Sequence, residues 1–260
     1  MGIINLTPDS FSDGGDYFDT DKALIQADNF ISSGVDIIDI GAQSTRPGAE
    51  EVGPTIENQR LIPTLIKLRK KFPEIIISVD TFNSEVASQA LLHGANWIND
   101  VTGGRRDKKI LDIVSRYKCP YVITHSKGNS KNMNFLANYN NILDEVLIDL
   151  INLTEKALSK GVNKNRIIWD PGLGFAKNTS HNLCILKNIN KFKEHGFPIL
   201  IGASRKRFVG EVLNIKEPKD RDIGSLAISC LCAQLHVELV RVHNVELNYQ
   251  VLRMADKIYR

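Results

Sequence analysis

The sequence predicts an α/β fold of the (β/α)8 barrel type, one domain over residues 1–260, with its functional residues at the C-terminal ends of the strands. Short apolar runs alternate with longer amphipathic segments along the whole chain. Eight such units fit in 260 residues, the count for this barrel. The residues directly after each apolar run are polar, charged or glycine, whereas the opposite ends carry plain turns such as Ser33-Gly34, His93-Gly94 and Gly161.

The runs come in order as Gly2–Leu6, Asp36–Ile40, Glu74–Val79, Asn96–Val101, Tyr121–Thr124, Arg166–Trp169, Pro198–Ile201 and Leu239–Val242. They are β-branched and too continuously apolar to face water on one side, as strands of a parallel sheet covered by helices must be. After the first run, Ala23-Leu24, Ala27 and Phe30-Ile31 recur at helical spacing. After the fourth come Ile110-Leu111 and Ile113-Val114, and after the fifth Ile142-Leu143, Val146-Leu147 and Leu150-Ile151. A last helix, Val245 to Ile258, closes the chain. A doubly wound sheet is the competitor, but no glycine-rich dinucleotide turn follows the first strand.

Composition narrows the function classes. Hydrophobic residues make up 42% and charged residues 24%, enough for a large core. A net charge of +3 gives no general argument for nucleic acid or a membrane surface as partner, so any anion site must be local. No apolar stretch is long enough to cross a bilayer and no signal peptide is visible, so an intracellular chain is expected, cytoplasmic or, in a eukaryote, mitochondrial. Cys119, Cys184, Cys230 and Cys232 form no C-x-x-C pair and are expected to be reduced, buried packing residues.

In a parallel barrel all strand ends converge on one rim, where active sites of this fold lie. Here that rim would gather Asn5 to Phe11, Gly41 to Gly48, Asp80-Thr81, Asn99-Asp100, His125 to Gly128, Asp170-Pro171-Gly172, Ser204-Arg205-Lys206 and Arg241 to Asn244. Lys206, Arg241 and His243 follow the last two strands and suit a phosphate or diphosphate, or else a salt-bridge network that only stabilises the rim. Asp80 and Asp170, with Asn99 between them, suit a flat heterocycle whose edge carries N–H and NH2 groups side by side. The same carboxylates could instead bind a metal or cap helices. Phe11 and Phe175 stand in or beside glycine-containing loops that could close on such a ring. His125 is read as a buried, satisfied histidine or an acid–base group, with no catalytic role assigned.

With those residues in place, the chain resembles the dihydropteroate synthase family of folate biosynthesis. The resemblance is carried in order by NLTPDSFSDGG, IDIGAQSTRPGAEEV, SVDTF, IND, DPGLGF, SRKRFVG and RVHNV. Gln43 before STRP and Thr81-Phe82-Asn83 after Asp80 look more like plant and fungal members. In those members the domain follows a pterin pyrophosphokinase, which would account for the abrupt start at Gly2-Ile3-Ile4-Asn5.

The resemblance implies condensation of 6-hydroxymethyl-7,8-dihydropterin diphosphate with 4-aminobenzoate to 7,8-dihydropteroate and pyrophosphate, with Mg2+ and as a homodimer. It implies that Asp80, Asn99, Asp170 and Lys206 bind the pterin and carry the chemistry. Asn5, Arg46, Arg241 and His243 would hold the diphosphate, with Asn5 also near Mg2+. Thr45, Pro47, Phe175 and Ser204 would form the 4-aminobenzoate pocket, and Asp9, Phe11 and Ser44 would act from mobile loops together with Arg46. Because those pocket residues match the amine site that sulfonamides mimic, the resemblance also implies sensitivity to them. One departure stands out: Thr124 and Ser126 flank His125 where many members have methionines, which implies a wetter pterin wall. Of Arg205 and Arg207, at least one is expected to serve structure or solubility. A pterin-binding methyltransferase barrel is the nearest rival, and a non-catalytic scaffold that has kept the pocket is the rival of another class.

Overall fold

The computed structural model describes residues 1–7, 16–44 and 48–260, and the side chains of all of these except residues 16–19. Eight parallel strands appear where the apolar runs predict them, shifted by a residue or two. They are β1 (Gly2–Asn5), β2 (Ile37–Gly41), β3 (Ile76–Asp80), β4 (Trp97–Asp100), β5 (Tyr121–Thr124), β6 (Ile167–Asp170), β7 (Leu200–Ile201) and β8 (Leu239–Val240). Strands β1 to β6 form one continuous ladder in sequence order, and β7 pairs with β8. Bridges between Trp169 and Ile199 and between Gly2 and Val242 join the two sheets, so the strands close into a barrel. The last two strands are shorter than the four-residue runs predicted for them. Their outer residues lie beside a neighbour without extending the ladder.

Helices follow the strands on the outside: α1 (Asp16–Ser32), α2 (Gly53–Lys71), α3 (Ser84–Leu92), α4 (Lys109–Tyr117), α5 (Ile142–Ser159), α6 (Thr179–Lys187), α7 (Ile189–Lys193), α8 (Arg207–Leu213), α9 (Asp222–Gln234) and α10 (Val245–Tyr259). Their apolar stripes meet the outward side chains of the strands in one large core. Leu61, Leu65 and Leu68 of α2 and Val146 and Leu150 of α5 pack there with Ile38, Ile40, Ile77 and Ile98, all fully buried. Each such side chain contributes about 1.5–3 kcal/mol.

A second, smaller cluster lies inside the barrel. Met1, Ile37, Val122, Ile168 and Leu200, with Ile76, Trp97 and Leu239 against them, place one side chain from each strand or its first flanking residue on the barrel floor. Side chains alternate along a strand, so the residue two positions on faces inward one layer higher. That layer reads Ile3, Asp39, Ser78, Asn99, Thr124, Asp170, Gly202 and Arg241. The interior therefore changes from apolar to polar within one step of the pleat, toward the strand C-termini.

The cysteines are all free. Cys119 and Cys232 are buried as expected, but Cys230 is exposed and Cys184 only half-buried. The expectation of four buried cysteines fails for Cys230 because it lies on the solvent face of α9, two residues from inward Cys232. Among the described residues no helix is long and apolar enough to cross a membrane.

Candidate active site

The polar layer is tied together by one arginine. Arg241 donates from Nε to Asp39 Oδ2 at 2.6 Å and from Nη2 to Asp80 Oδ2 at 2.8 Å. Asn99 Nδ2 donates to the same Asp39 oxygen at 3.1 Å. Asp39 is fully buried and Asp80 nearly so. Two carboxylates thus share one guanidinium. Burial, only partly offset by Arg241, pushes the Asp80 carboxyl up to about 7, with Asp39 adding repulsion.

Asp170 and Lys206 face this cluster across the barrel. A β-carbon added to Gly202 would stand 3.9 Å from Asp170 Oδ2, Lys206 Nζ and the β-carbon of Arg241. The Lys206 ammonium and the Asp170 carboxylate therefore meet the base of the Arg241 side chain in one small space, while the guanidinium itself lies on Asp39 and Asp80. Burial raises the Asp170 pKa, with Lys206 opposing, and lowers Lys206 to about 8, with Asp170 opposing. Asp170 Oδ1 accepts the backbone N–H of Gly172 at 2.7 Å. Lys206 donates to the Leu173 carbonyl and lies 4.6 Å from the centroid of the Phe175 ring.

The loop after β6 is held in a strained path. Gly172 has φ +70°, and a β-carbon there would fall 1.9 Å from the His125 carbonyl oxygen, which only glycine avoids. Lys177, buried behind the loop, donates to Gly172 O at 2.9 Å, Phe175 O at 3.1 Å and His125 Nδ1 at 2.7 Å. Burial pulls its pKa well down. Yet these three acceptors, with the His125 carbonyl farther off at 3.5 Å, occupy the three N–H groups of an ammonium, so the charged form suits this geometry. Burial also lowers the His125 pKa strongly, so the ring is neutral. Because Nδ1 accepts, Nε2 carries the proton and faces Asp149 Oδ2 at 3.5 Å, and Asp149 is paired with Arg105. His125 is thus buried and held at Nδ1 by Lys177, while Nε2 has no hydrogen-bond partner among the described residues, so it is not the fully satisfied histidine of the first reading.

Sequence reasoning missed Asp39 and Lys177. Asp39 had a signal, a carboxylate in the middle of the apolar run Ile37-Ile38-Asp39-Ile40. Lys177 had none, because its three acceptors come from carbonyls and a ring that no pattern marks.

The remaining expected residues divide. Asn5 ends β1, half-buried and in register with Gly41. Ser204 is buried, and its hydroxyl accepts the backbone N–H of His243 at 3.1 Å and lies 3.0 Å from His243 Nδ1. It does not cap a helix start, since Lys206 holds the N-cap position of α8. Of the neighbouring cations, Arg205 grips Asp222 with two hydrogen bonds of 2.7 and 2.8 Å, and Arg207 pairs with Glu211 on the surface. Both arginines serve structure, and only Lys206 turns inward.

Ser44 and Phe175 line an open cleft of roughly 440 Å³, open mouth included, together with Phe82, Arg106, Ser126 and Met133. Ser126 thus meets the cleft, whereas Thr124 is buried with its hydroxyl unpartnered among the described residues. Asp9, Phe11, Thr45, Arg46 and Pro47 lie outside the described residues. Gln43 anchors the neighbouring loop: its amide donates to the Ser44 and Glu50 carbonyls and accepts from Val52 N–H.

Among known proteins, a family model described as pterin binding enzyme matches residues 1–243. The dihydropteroate synthase of Synechocystis is 41% identical over 260 residues, 100% of this chain and 90% of that protein. The crystal structure of dihydropteroate synthase from Clostridium difficile in the presence of pteroic acid matches with a TM-score of 0.94 and 41% identity, covering 100% of this chain and 96% of that one. The Xanthomonas albilineans dihydropteroate synthase with 4-aminobenzoic acid gives a TM-score of 0.93 and 37% identity, covering 99% and 92%.

Proposed function

This chain belongs to the dihydropteroate synthase family of pterin-binding enzymes, and from that premise we propose that its strand-end site joins 6-hydroxymethyl-7,8-dihydropterin diphosphate to 4-aminobenzoate, releasing pyrophosphate. The observation that carries this reading is the meeting of Asp170 and Lys206 above Gly202, next to the stem of Arg241, whose guanidinium joins Asp80 and, through Asp39, Asn99 in the same polar layer. A carboxylate accepts a pair of adjacent N–H groups, an amide reads one donor and one acceptor, and cations take the charge of the leaving group. In this reading Asp170 takes the N3–H and 2-amino edge, Asn99 the neighbouring ring nitrogen and amino group, and Asp80 the N–H of the reduced ring. Lys206 reaches the O4 and N5 side. Arg241 has five N–H groups, of which Asp39 and Asp80 take two. With His243, Asn5 and Arg46 it holds the diphosphate. Phe175, Ser204, Thr45 and Pro47 form the 4-aminobenzoate pocket.

The chemistry asks for placement more than for a strong base. Pyrophosphate departs with the electron pair of its C–O bond, and the cations at the last two strands stabilise its charge. The pterin methylene becomes electron-poor, and the ionised carboxylates of Asp80 and Asp170 favour that positive character. The arylamine is uncharged at neutral pH and attacks a carbon held in place, so orientation supplies much of the rate.

Mg2+ belongs to the proposal. The amide oxygen of Asn5 is a hard donor of the kind Mg2+ takes alongside phosphate oxygens and water. Among the described residues no group of three or more His, Cys, Asp or Glu could cage a metal on protein ligands alone, which suits an ion held mainly by the diphosphate. When bound there, it would neutralise charge on the leaving group.

The test is calorimetric binding of 4-aminobenzoate. It should bind measurably only when pyrophosphate and Mg2+ are present, because the cationic end of the site must be filled first. Equal affinity with and without pyrophosphate would contradict this order.

A further inference from the structure

We propose that Asp39, from beneath the site, is a positioning residue that fixes which way the Asn99 carboxamide faces, and so sets the donor–acceptor pattern the site reads. The proposal rests on the reading that Asn99 meets the amino edge of the pterin.

The geometry leaves Asn99 one orientation. Arg241 only donates, and its Nε lies 2.6 Å from Asp39 Oδ2, so that oxygen is an acceptor whatever the protonation of its partner oxygen. The Asn99 atom 3.1 Å from the same oxygen must therefore be the amide nitrogen. One of its two protons is taken by Asp39. The other proton and the carbonyl oxygen remain for a ligand, as one donor beside one acceptor.

That pair matches a ring nitrogen next to an amino group. It opposes the inverted edge, a ring N–H next to a carbonyl, because turning the amide over would set oxygen against oxygen. Asp39 is fully buried and uses a single oxygen for both contacts; Oδ1 has no partner among the described residues. The same oxygen holds the Nε side of Arg241, whose other edge meets Asp80. One acceptor thus orients a specificity group and a cation together.

The experiment measures binding of the pterin diphosphate and of its 2-oxo analogue, whose edge toward Asn99 is inverted. It compares the full chain with Asn99→Ala, Asp39→Leu and Asp39→Asn. Asp170 keeps part of the discrimination in every variant, and Asn99→Ala measures the share that Asn99 holds. Asp39→Leu should lose most of that share, roughly tenfold or more in the ratio of the two affinities. General loosening would weaken both ligands alike and leave the ratio unchanged. Asp39→Asn should keep the ratio within about twofold, since its amide oxygen in place of Oδ2 accepts from the same two donors.

A wild-type ratio in Asp39→Leu overturns the proposal while the pterin reading stands. A wild-type ratio in Asn99→Ala overturns the reading itself, and the proposal with it. If Asp39→Leu does not fold, side-chain amide exchange in the nitrogen-labelled wild-type enzyme decides. One Asn99 proton should be protected before pterin diphosphate is added and the second only afterwards. Two equally fast protons in the free enzyme overturn the proposal.

Discussion

Lys206 and Asp80 hold opposite charges that their burial disfavours, and this sets a narrow working range. Burial brings Asp80 up to about 7 and Lys206 down to about 8. The proposed chemistry needs Asp80 ionised and Lys206 charged. Plotted against pH, kcat/KM for the pterin diphosphate should therefore rise toward 7, fall beyond 8 and peak between them. A profile flat from about pH 6 to 9 would contradict this. The same burial has a stability consequence. A lysine with a lowered pKa favours the fold when neutral, so its contribution is lost as pH falls from 10.5 toward 8 and stays lost below. Lys206→Met should abolish turnover; it relieves that burial cost but takes the donor from the Leu173 carbonyl and the countercharge from Asp170. At this scale Asp80 and Asp170 were legible because each directly follows an apolar run, Asn99 and Arg241 because they interrupt the ends of theirs, and Lys206 because it stands in the cationic turn five residues beyond Ile201. Asp39 was less so. A carboxylate inside a strand declares itself only when the pleat is traced from floor to rim.

The loops after β5 and β6 behave as one element because Lys177 ties them together. Its ammonium joins two carbonyls of the loop after β6 to the ring of His125, which follows β5. Removing it leaves the Phe175 carbonyl and His125 Nδ1 without their donor, each costing about 1–3 kcal/mol, while the Gly172 carbonyl keeps the Phe175 N–H. Lys177→Met should therefore destabilise the protein by about 2 kcal/mol or more, read by chemical denaturation. It should also raise KM for 4-aminobenzoate, since Phe175 rides on that loop. A loss below about 1 kcal/mol would show that the contacts are replaceable. Helices and strands were legible from their periodicity. The loops were not: the left-handed turn at Gly172, Lys177 beneath it and the Arg205–Asp222 pair depend on residues brought together from distant parts of the chain.

Across the whole barrel, the ladder is uneven. Strands β2 and β3 share five register pairs, whereas β7 and β8 share two and are joined to the rest through single bridges. The seam at β7 and β8 carries Lys206 and Arg241 just beyond it. In hydrogen exchange, amides of Ile199–Ile201 and Leu239–Val242 should exchange faster than those of Ile76–Asp80, and pterin diphosphate should slow the former more. Uniform protection around the barrel would contradict this. The eight-unit architecture was legible because its alternation runs the length of the chain. The weakness of the seam was not, since Pro198–Ile201 and Leu239–Val242 are as apolar as the other runs and only strand pairing distinguishes them. The central claim is that this seam and the strands facing it form one site where a diphosphate leaves and an arylamine enters. Its most direct test measures pyrophosphate and dihydropteroate together, from the pterin diphosphate, 4-aminobenzoate and Mg2+. The account predicts equal amounts of both, with neither formed by Lys206→Met; pyrophosphate released without dihydropteroate, or binding of both substrates without turnover, would contradict it.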